Sequence, residues 1–424
     1  MKKLILTLSA AVVLLQTASA QTEINNNANE SGLGYKISGF IDPQAYFDTR
    51  EIVSGREEQM LFFPKPKELD ANGNDINDKA SLNMLAITAR IGMKINAPDM
   101  LGAKVFGYIE GDFTGSSESG INMLRLRHAY VNMRWEKDGL LVGQYWHPMV
   151  AHEVMPGTRP LNMGVPFHPY SRYVQAKYTK FLGELELNAI ASFQLDNKAV
   201  GPNGGSTEYL RNSCLPELNA QVVYRGEKLY LGAMYNYMLI QPRTSFTDEA
   251  TNLTYKTDTK IGSSAFSVFG KVKTDALDFR FQAIYGDNLT EQCLLGGYYD
   301  VFNPGKNDYE YTNFGTTTAW VDFSKAKGVV RPGIFLGWGQ NNSFGDIISN
   351  DAHVYGRGFN MGTLYRIQPR LGIIPNKTLN FFVEYEYTAA EYGKIEAVDA
   401  DHYKYVSDYT VGNSRFIAAV VFNF

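Results

Sequence analysis

The 424-residue chain has two cysteines, four tryptophans and no excess of positive charge. Cys214 and Cys293 are too few for a disulfide-built scaffold, and their spacing leaves open whether they pair. With 40 Lys and Arg against 44 Asp and Glu, the basic signature of a nucleic-acid binder is missing. Beyond the first twenty residues no stretch reaches the ~18 apolar residues of a spanning helix, which excludes a helical membrane protein. No segment has the period of a long amphipathic helix either. What the chain does have is 25 Phe and 27 Tyr, far more buriable surface than a disordered chain carries.

The N-terminus reads as a signal peptide over residues 1–20. Met1-Lys2-Lys3 is basic, Leu4 to Leu15 is an apolar stretch too short to span, and Ala18-Ser19-Ala20 is a cleavage site. The mature chain is then exported and begins at Gln21, with residues 21–34 as a short periplasmic segment. No cysteine follows the cleavage site, so no lipid anchor is indicated.

The dominant signal is strict alternation. In Leu85-Ala86-Ile87-Thr88-Ala89-Arg90-Ile91-Gly92-Met93-Lys94-Ile95 the odd positions are all apolar, the period of a strand with one greasy and one wet face. Leu379-Asn380-Phe381-Phe382-Val383-Glu384-Tyr385-Glu386-Tyr387 repeats it. Short turns such as 136–139, 225–228, 274–276 and 324–328 alternate with long polar stretches at 51–80, 148–170, 197–214, 242–257, 290–310, 342–350 and 391–404. A β-sandwich has no reason to sort its loops in this way, whereas an outer-membrane barrel has short periplasmic turns and long outer loops.

Strands under this rule cover 35–50, 81–97, 102–114, 122–136, 139–147, 171–181, 183–196, 215–226, 228–241, 258–273, 276–289, 311–324, 329–341, 352–368, 377–391 and 405–424. The expected fold is all-β, a 16-stranded antiparallel transmembrane β-barrel over residues 35–424. Closure in lipid removes both the exposed greasy face and the free edges that an open sheet would carry. Tyr35, Phe40, Tyr46, Phe47, Tyr235, Tyr237, Tyr385 and Tyr387 stand at strand ends, where an aromatic girdle belongs. The C-terminal Phe424, after alternating apolar residues, looks like the signal read by the barrel assembly machinery.

Together these features resemble the Gram-negative outer-membrane porin superfamily. More narrowly, Leu124-Arg125-Leu126-Arg127-His128-Ala129-Tyr130 followed by Leu140-Leu141-Val142-Gly143-Gln144-Tyr145-Trp146 is similar to the R-x-R-x-A-Y … L-x-x-G-Q-x-W hairpin of the DcaP-like porins, and related patterns occur in phosphate-selective porins. The resemblance implies trimeric channels for small anionic solutes such as dicarboxylates, contacts with outer-membrane lipid and lipopolysaccharide, and no cofactor. Residues 21–34 depart from the founding members, being too short and polar for their periplasmic coiled coil.

Alternation sends Arg90, Lys94, Glu110, Asp112, Arg125, Arg127, Glu184 and Glu186 into the lumen. Arg90, Arg125 and Arg127 are one candidate basic wall for anions. Because the third strand lies between the second and fourth, the favoured reading of Glu110 and Asp112 is that they pair with those arginines and tile a wet wall. The segment 147–170 follows the fifth strand, as the constriction loop of porins does. Its five prolines and three methionines suit a stiff segment packed against an inner wall. His147, His152, Glu153, Arg159 and His168 are its candidate pore residues; packing against the outer rim or a neighbouring subunit is the alternative.

Other readings fare worse. His147, His152 and Glu153 lack the helical spacing of a zinc motif, so no metal is expected. Asp70, Asn72 and Asn74 have calcium-loop spacing, but Asp75 stands where the loop needs Gly and Ser81 where it needs Glu. No Ser-His or Asp-His motif marks catalysis, so no catalytic residue and no enzyme activity are expected. A porin, passively passing small hydrophilic solutes, is the expected function. An adhesin or structural barrel with a plugged lumen is the first alternative, a barrel enzyme the second.

Overall fold

Side chains that alternate along each strand meet lipid on one face and the lumen on the other, so the exposure pattern is inverted relative to a water-soluble protein. The computed structural model describes residues 33–424 except 160, 162, 249–250, 343–351 and 398–402. The expected signal peptide, nearly all of 21–34, and parts of four expected loops lie outside the described residues. On strand 379–397 the outward Phe381 and Val383 are 40% and 59% exposed, while the inward Glu384 and Glu386 are 1% and 0% exposed. Apolar side chains outside and charges inside are stable only when lipid covers the outer face.

Sixteen strands form the wall: β1 (Gly34–Ile41, resumed at Gln44–Asp48), β2 (Ser81–Leu85, resumed at Arg90–Asn96), β3 (Lys104–Asp112), β4 (Arg125–Arg134), β5 (Asp138–Trp146), β6 (Arg172–Leu182), β7 (Leu185–Phe193), β8 (Glu217–Arg225), β9 (Leu229–Ile240), β10 (Ile261–Lys273), β11 (Leu277–Asp287), β12 (Asp308–Lys325), β13 (Val330–Asn341), β14 (Met361–Ile373), β15 (Leu379–Ala397) and β16 (Tyr403–Asn423). Each pairs antiparallel with its neighbours, and β1 closes the barrel on β16 through Phe40↔Asn423 and Gln44↔Ala419. Gly39 and Phe424 exchange both backbone hydrogen bonds, at 3.0 and 3.1 Å. A Cβ on Gly39 would lie 2.7 Å from the Phe424 ring, so the ring fills the space that the glycine leaves at the seam.

The expected 16-stranded barrel is therefore present, with strand ends within three residues of expectation save at β14 and the outer end of β15. The error at β14 has a local cause. His353–Arg357 is a separate strand that pairs with Gly296–Asn303 above the wall, and the true wall strand begins only after the left-handed Gly358.

Three further corrections are needed. The unbroken alternation expected over 85–95 is interrupted, because four residues, 86–89, stand opposite three, 41–43. This bulge changes which parity faces lipid: Leu82 and Met84 point out before it, Ile91 after it, and Ile87 is buried. Tyr46, assigned to the girdle, is buried beneath the Arg415 guanidinium instead. Glu184 lies in the β6–β7 turn rather than on the wall. Cys214 and Cys293 are both free, one exposed and one buried.

Candidate functional site

The β3–β4–β5 region builds a charged wall. The β3–β4 register slips between Glu110↔His128 and Gly111↔Leu126, so Arg125, Arg127 and His128 are all drawn into the interior. Arg125 donates to both Asp112 oxygens at 3.1 and 3.0 Å. Arg127 donates to Glu110 at 2.7 Å and to Asp112 at 2.8 Å, and Arg90 approaches Glu110 at 3.5 Å. Asp196, just beyond β7, takes Arg125 at 3.3 Å and Arg172 on its other oxygen. The Tyr170 hydroxyl accepts from Arg127 at 3.3 Å and from Arg172 at 3.2 Å. Trp146 lies beneath both guanidinium groups, at 5.4 and 4.8 Å from its ring centre.

This geometry explains the hairpin motif residue by residue. Gly143 has φ +130, and a Cβ there would sit 2.3 Å from the Ala129 carbonyl. Gln144 donates to the carbonyls of Leu126 and Arg127, at 3.1 and 3.0 Å, where the bulge disturbs the ladder. The two arginines of the motif bind the β3 carboxylates, and its tryptophan stacks on one of them.

The third long loop, L3 (147–171), runs through the barrel interior. The Met149 carbonyl accepts from Gln282 on β11 at 2.7 Å, and the Met155 carbonyl from Arg280 at 3.2 Å. The Gly157 amide donates to Asp322 on β12, and the Arg159 amide to Glu384 on β15. The Arg159 side chain pairs with Asp42, at the kink of β1, at 2.8 Å. Returning, the Val165 carbonyl accepts from Arg366 on β14 at 2.7 Å. Val150, Val154, Val165 and Phe167 are wholly buried along the way. A Cβ on Gly157 would come within 2.6 Å of the Arg370 guanidinium, so a larger residue at the loop tip would have to displace that side chain.

The candidate residues divide by environment. Arg90, Arg125 and Arg127 come together, but as partners of Glu110 and Asp112 rather than as a bare basic wall. His147 is buried against Glu217 at 2.6 Å. His168 bonds the Val150 carbonyl at 3.0 Å, and burial pushes its pKa down to about 3, so it is neutral packing. His152 and Glu153 do face a polar recess, with Tyr145, Lys177, Glu186, Arg225 and Tyr230. His152 contacts the Tyr145 hydroxyl at 2.9 Å and Glu153 at 3.0 Å, and Glu153 pairs with Arg225 at 3.2 Å. Burial alone would raise the Glu153 carboxyl; His152, Arg225 and Lys177 hold it far below the usual range instead. Lys94 stands apart, 4.3 Å over the Phe106 ring.

Arg172, Asp196, Tyr170 and Arg366 were not singled out from sequence. Apart from the Tyr170–Arg172 contact, their partners lie 20 to 305 positions away, and nothing local marks them. Among the described residues, Lys94, Lys177 and Lys271 have no carboxylate oxygen within 4.0 Å, and no cluster of three or more His, Cys, Asp or Glu side chains is placed to hold a metal ion.

A lipid-facing barrel of sixteen strands, with a charged interior and a loop threaded through it, defines an outer-membrane channel. More particularly, the chain belongs to the DcaP outer membrane protein family, whose model matches residues 66–288, just over half of its length. It lies in the outer membrane of a Gram-negative bacterium. The outer membrane channel DcaP of Acinetobacter baumannii superposes with a TM-score of 0.61 at 16% identity, over 95% of this chain and 100% of that one. An anion-selective porin from Comamonas acidovorans gives 0.57 at 8% identity, covering 92% and 100%. A trimer form of Vibrio cholerae OmpT gives 0.52 at 11%, covering 92% and 99%. At these identities the likeness is one of fold. No curated protein matches the chain.

Proposed function

We propose that the protein is a passive diffusion channel for small hydrophilic solutes, preferring anions and working as a homotrimer, with L3 setting its width. The observation that carries the anion preference is the pattern of pairing inside the barrel. Glu110, Asp112, Asp196, Glu217 and Asp322 are each held by an arginine or a histidine, while Lys94, Lys177 and Lys271 have no carboxylate at contact distance. These lysines would make the field beside them positive, and a low-dielectric wall would focus it on the permeating ion. The trimer rests on the family resemblance and on the OmpT neighbour's trimer form. Phe424, at the closing seam, suits the assembly signal proposed from sequence. Catalysis is no part of this reading.

The reversal potential across a salt gradient in a planar bilayer tests the preference. Wild type should select anions, and Lys94→Gln with Lys177→Gln should move it toward zero selectivity. A cation-selective wild type would overturn the reading. The plugged-barrel alternative is favoured by one observation, the apolar cluster of L3 with Trp320, Phe335 and Leu364 inside the wall. A folded barrel that never conducts would establish it.

A further inference from the structure

L3 is not alone inside the barrel. The first long loop carries a hairpin, Ile52–Gly55 paired with Met60–Pro64, and its second strand is buried: Leu61 is 0% exposed and Phe63 6%. We infer that this hairpin is a second constriction element of the channel, and that Arg366 is the positioning residue that fixes it against L3. The inference rests on the channel reading above and adds to it the element that bounds the path on the side facing β14 to β16.

The hairpin is held by inward-facing groups of the wall. The Arg415 guanidinium donates to the Glu58 carbonyl at 2.9 Å, and the Tyr392 hydroxyl to the Pro64 carbonyl at 2.7 Å. Asn83 on β2 donates to the Glu57 carbonyl at 3.0 Å. The turn itself, Arg56, Glu57 and Glu58, has three successive non-glycine residues in the left-handed region, at φ 60, 51 and 64. Such a run costs roughly 1–2 kcal/mol per residue and persists only where its surroundings fix it. Here the Glu118 carboxylate, from the loop after β3, accepts from the amides of Arg56 and Glu57 at 2.5 and 3.0 Å. Met60, Phe62 and Phe63 then pack with Val165 and Phe167 of L3 in one apolar cluster.

Arg366 joins the two loops. Its side chain is fully buried and pairs with Glu386 at 3.1 Å. One terminal nitrogen donates to Val165 of L3 at 2.7 Å, the other to Leu61 of the hairpin at 3.1 Å, both at backbone carbonyls. A planar guanidinium sets the spacing of two acceptors at once; a lysine ammonium, as a point charge on a flexible stem, does not. Arg366→Lys therefore keeps the charge beside Glu386 and removes the fork.

Single-channel conductance of the full chain in planar bilayers tests this, with heat-modifiable electrophoretic mobility certifying each folded barrel. Replacing residues 53–63 by Gly-Ser-Gly should raise conductance about twofold or more, because an obstruction leaves the lumen. Arg366→Lys should give a smaller rise with a noisier open state. If wild type conducts and both variants match it, the inference falls and the channel reading stands. A silent wild type with a conducting loop variant supports the hairpin as the element that closes the lumen. Folded wild type and folded variants that are all silent overturn both readings. Should the loop variant fail to fold, Arg366→Lys decides: conductance and noise equal to wild type would overturn the inference.

Discussion

The two sides of the barrel interior are built on different physics. Along β2 to β7 the interior is ionic: four arginines, Arg90, Arg125, Arg127 and Arg172, interleave with three carboxylates and a tyrosine hydroxyl. Along β12 to β16 the inward faces of Trp320, Phe335, Leu364, Ala390 and Val411 make an apolar bed on which the first long loop, L1 (51–80), and L3 lie. On that side arginines still appear, but Arg366 and Arg415 point part of their donor set at loop carbonyls. The ionic side thus has its own structural charges cross-linked into the wall, while the apolar side serves as a dock for loops. Charge that is fully paired and desolvated holds structure. On the proposed reading, charge with no carboxylate at contact distance, as at Lys94, is what a solute meets.

The comparison can be broken most severely on the ionic side. Arg127→Met leaves Glu110 short of a partner and Asp112 with one fewer, both carboxylates being buried, and should cost about 3–5 kcal/mol. Heat-modifiable mobility and urea unfolding would measure it. A stability equal to wild type would mean that the ionic wall is hydrated and unimportant to folding. The same logic applies to charge reversal of Arg125 and Arg127, which should impair assembly before it reports on selectivity. On the apolar side, Phe167→Ala removes a wholly buried ring from the L3 dock, a loss of about 3 kcal/mol that falls on the loop rather than on any strand ladder. The barrel should assemble normally, with protease reaching L3 in the variant and not in wild type. Equal protection would show that L3 is held by its polar contacts alone.

Most of the fold was legible because β-barrels advertise themselves locally. Alternation, turn residues and loop length each act within a dozen residues, and the C-terminal Phe424 sits where the seam needs an aromatic. The misplaced β14 and the bulge at 86–89 were not legible, since each depends on what lies across the sheet. The site was readable in its parts and not in its meaning. That L3 is stiff and apolar followed from its prolines and methionines. That His147 and His168 serve packing depended on Glu217 and the Val150 carbonyl. The Arg-x-Arg pair was visible, but whether it faces a solute or a carboxylate was set by a one-residue slip between β3 and β4. The L1 hairpin was read as an outer loop because its turn is polar, although Met60-Leu61-Phe62-Phe63 was an available sign of burial.

The smallest effect sharpens the comparison at the one place where L3 enters the ionic wall. Burial alone would push the Tyr170 phenol up, but the guanidinium groups of Arg172, Arg127 and Arg125 outweigh it and bring its pKa down to about 7. Its oxygen accepts from Arg127 and Arg172, which suits a phenolate that offsets the excess of arginine over carboxylate. A group whose folded pKa is depressed contributes stability that is complete above its unfolded pKa, about 10 for tyrosine, and is lost as pH falls through the folded one. The stability difference between wild type and Tyr170→Phe should therefore be flat below pH 7 and widen above it, with a limiting slope of about 1.4 kcal/mol per pH unit. Urea unfolding at a series of pH values from 6 to 9 measures that slope. A difference that does not change with pH would mean that Tyr170 stays neutral, and that the arginine excess of this wall is left uncompensated by the phenol.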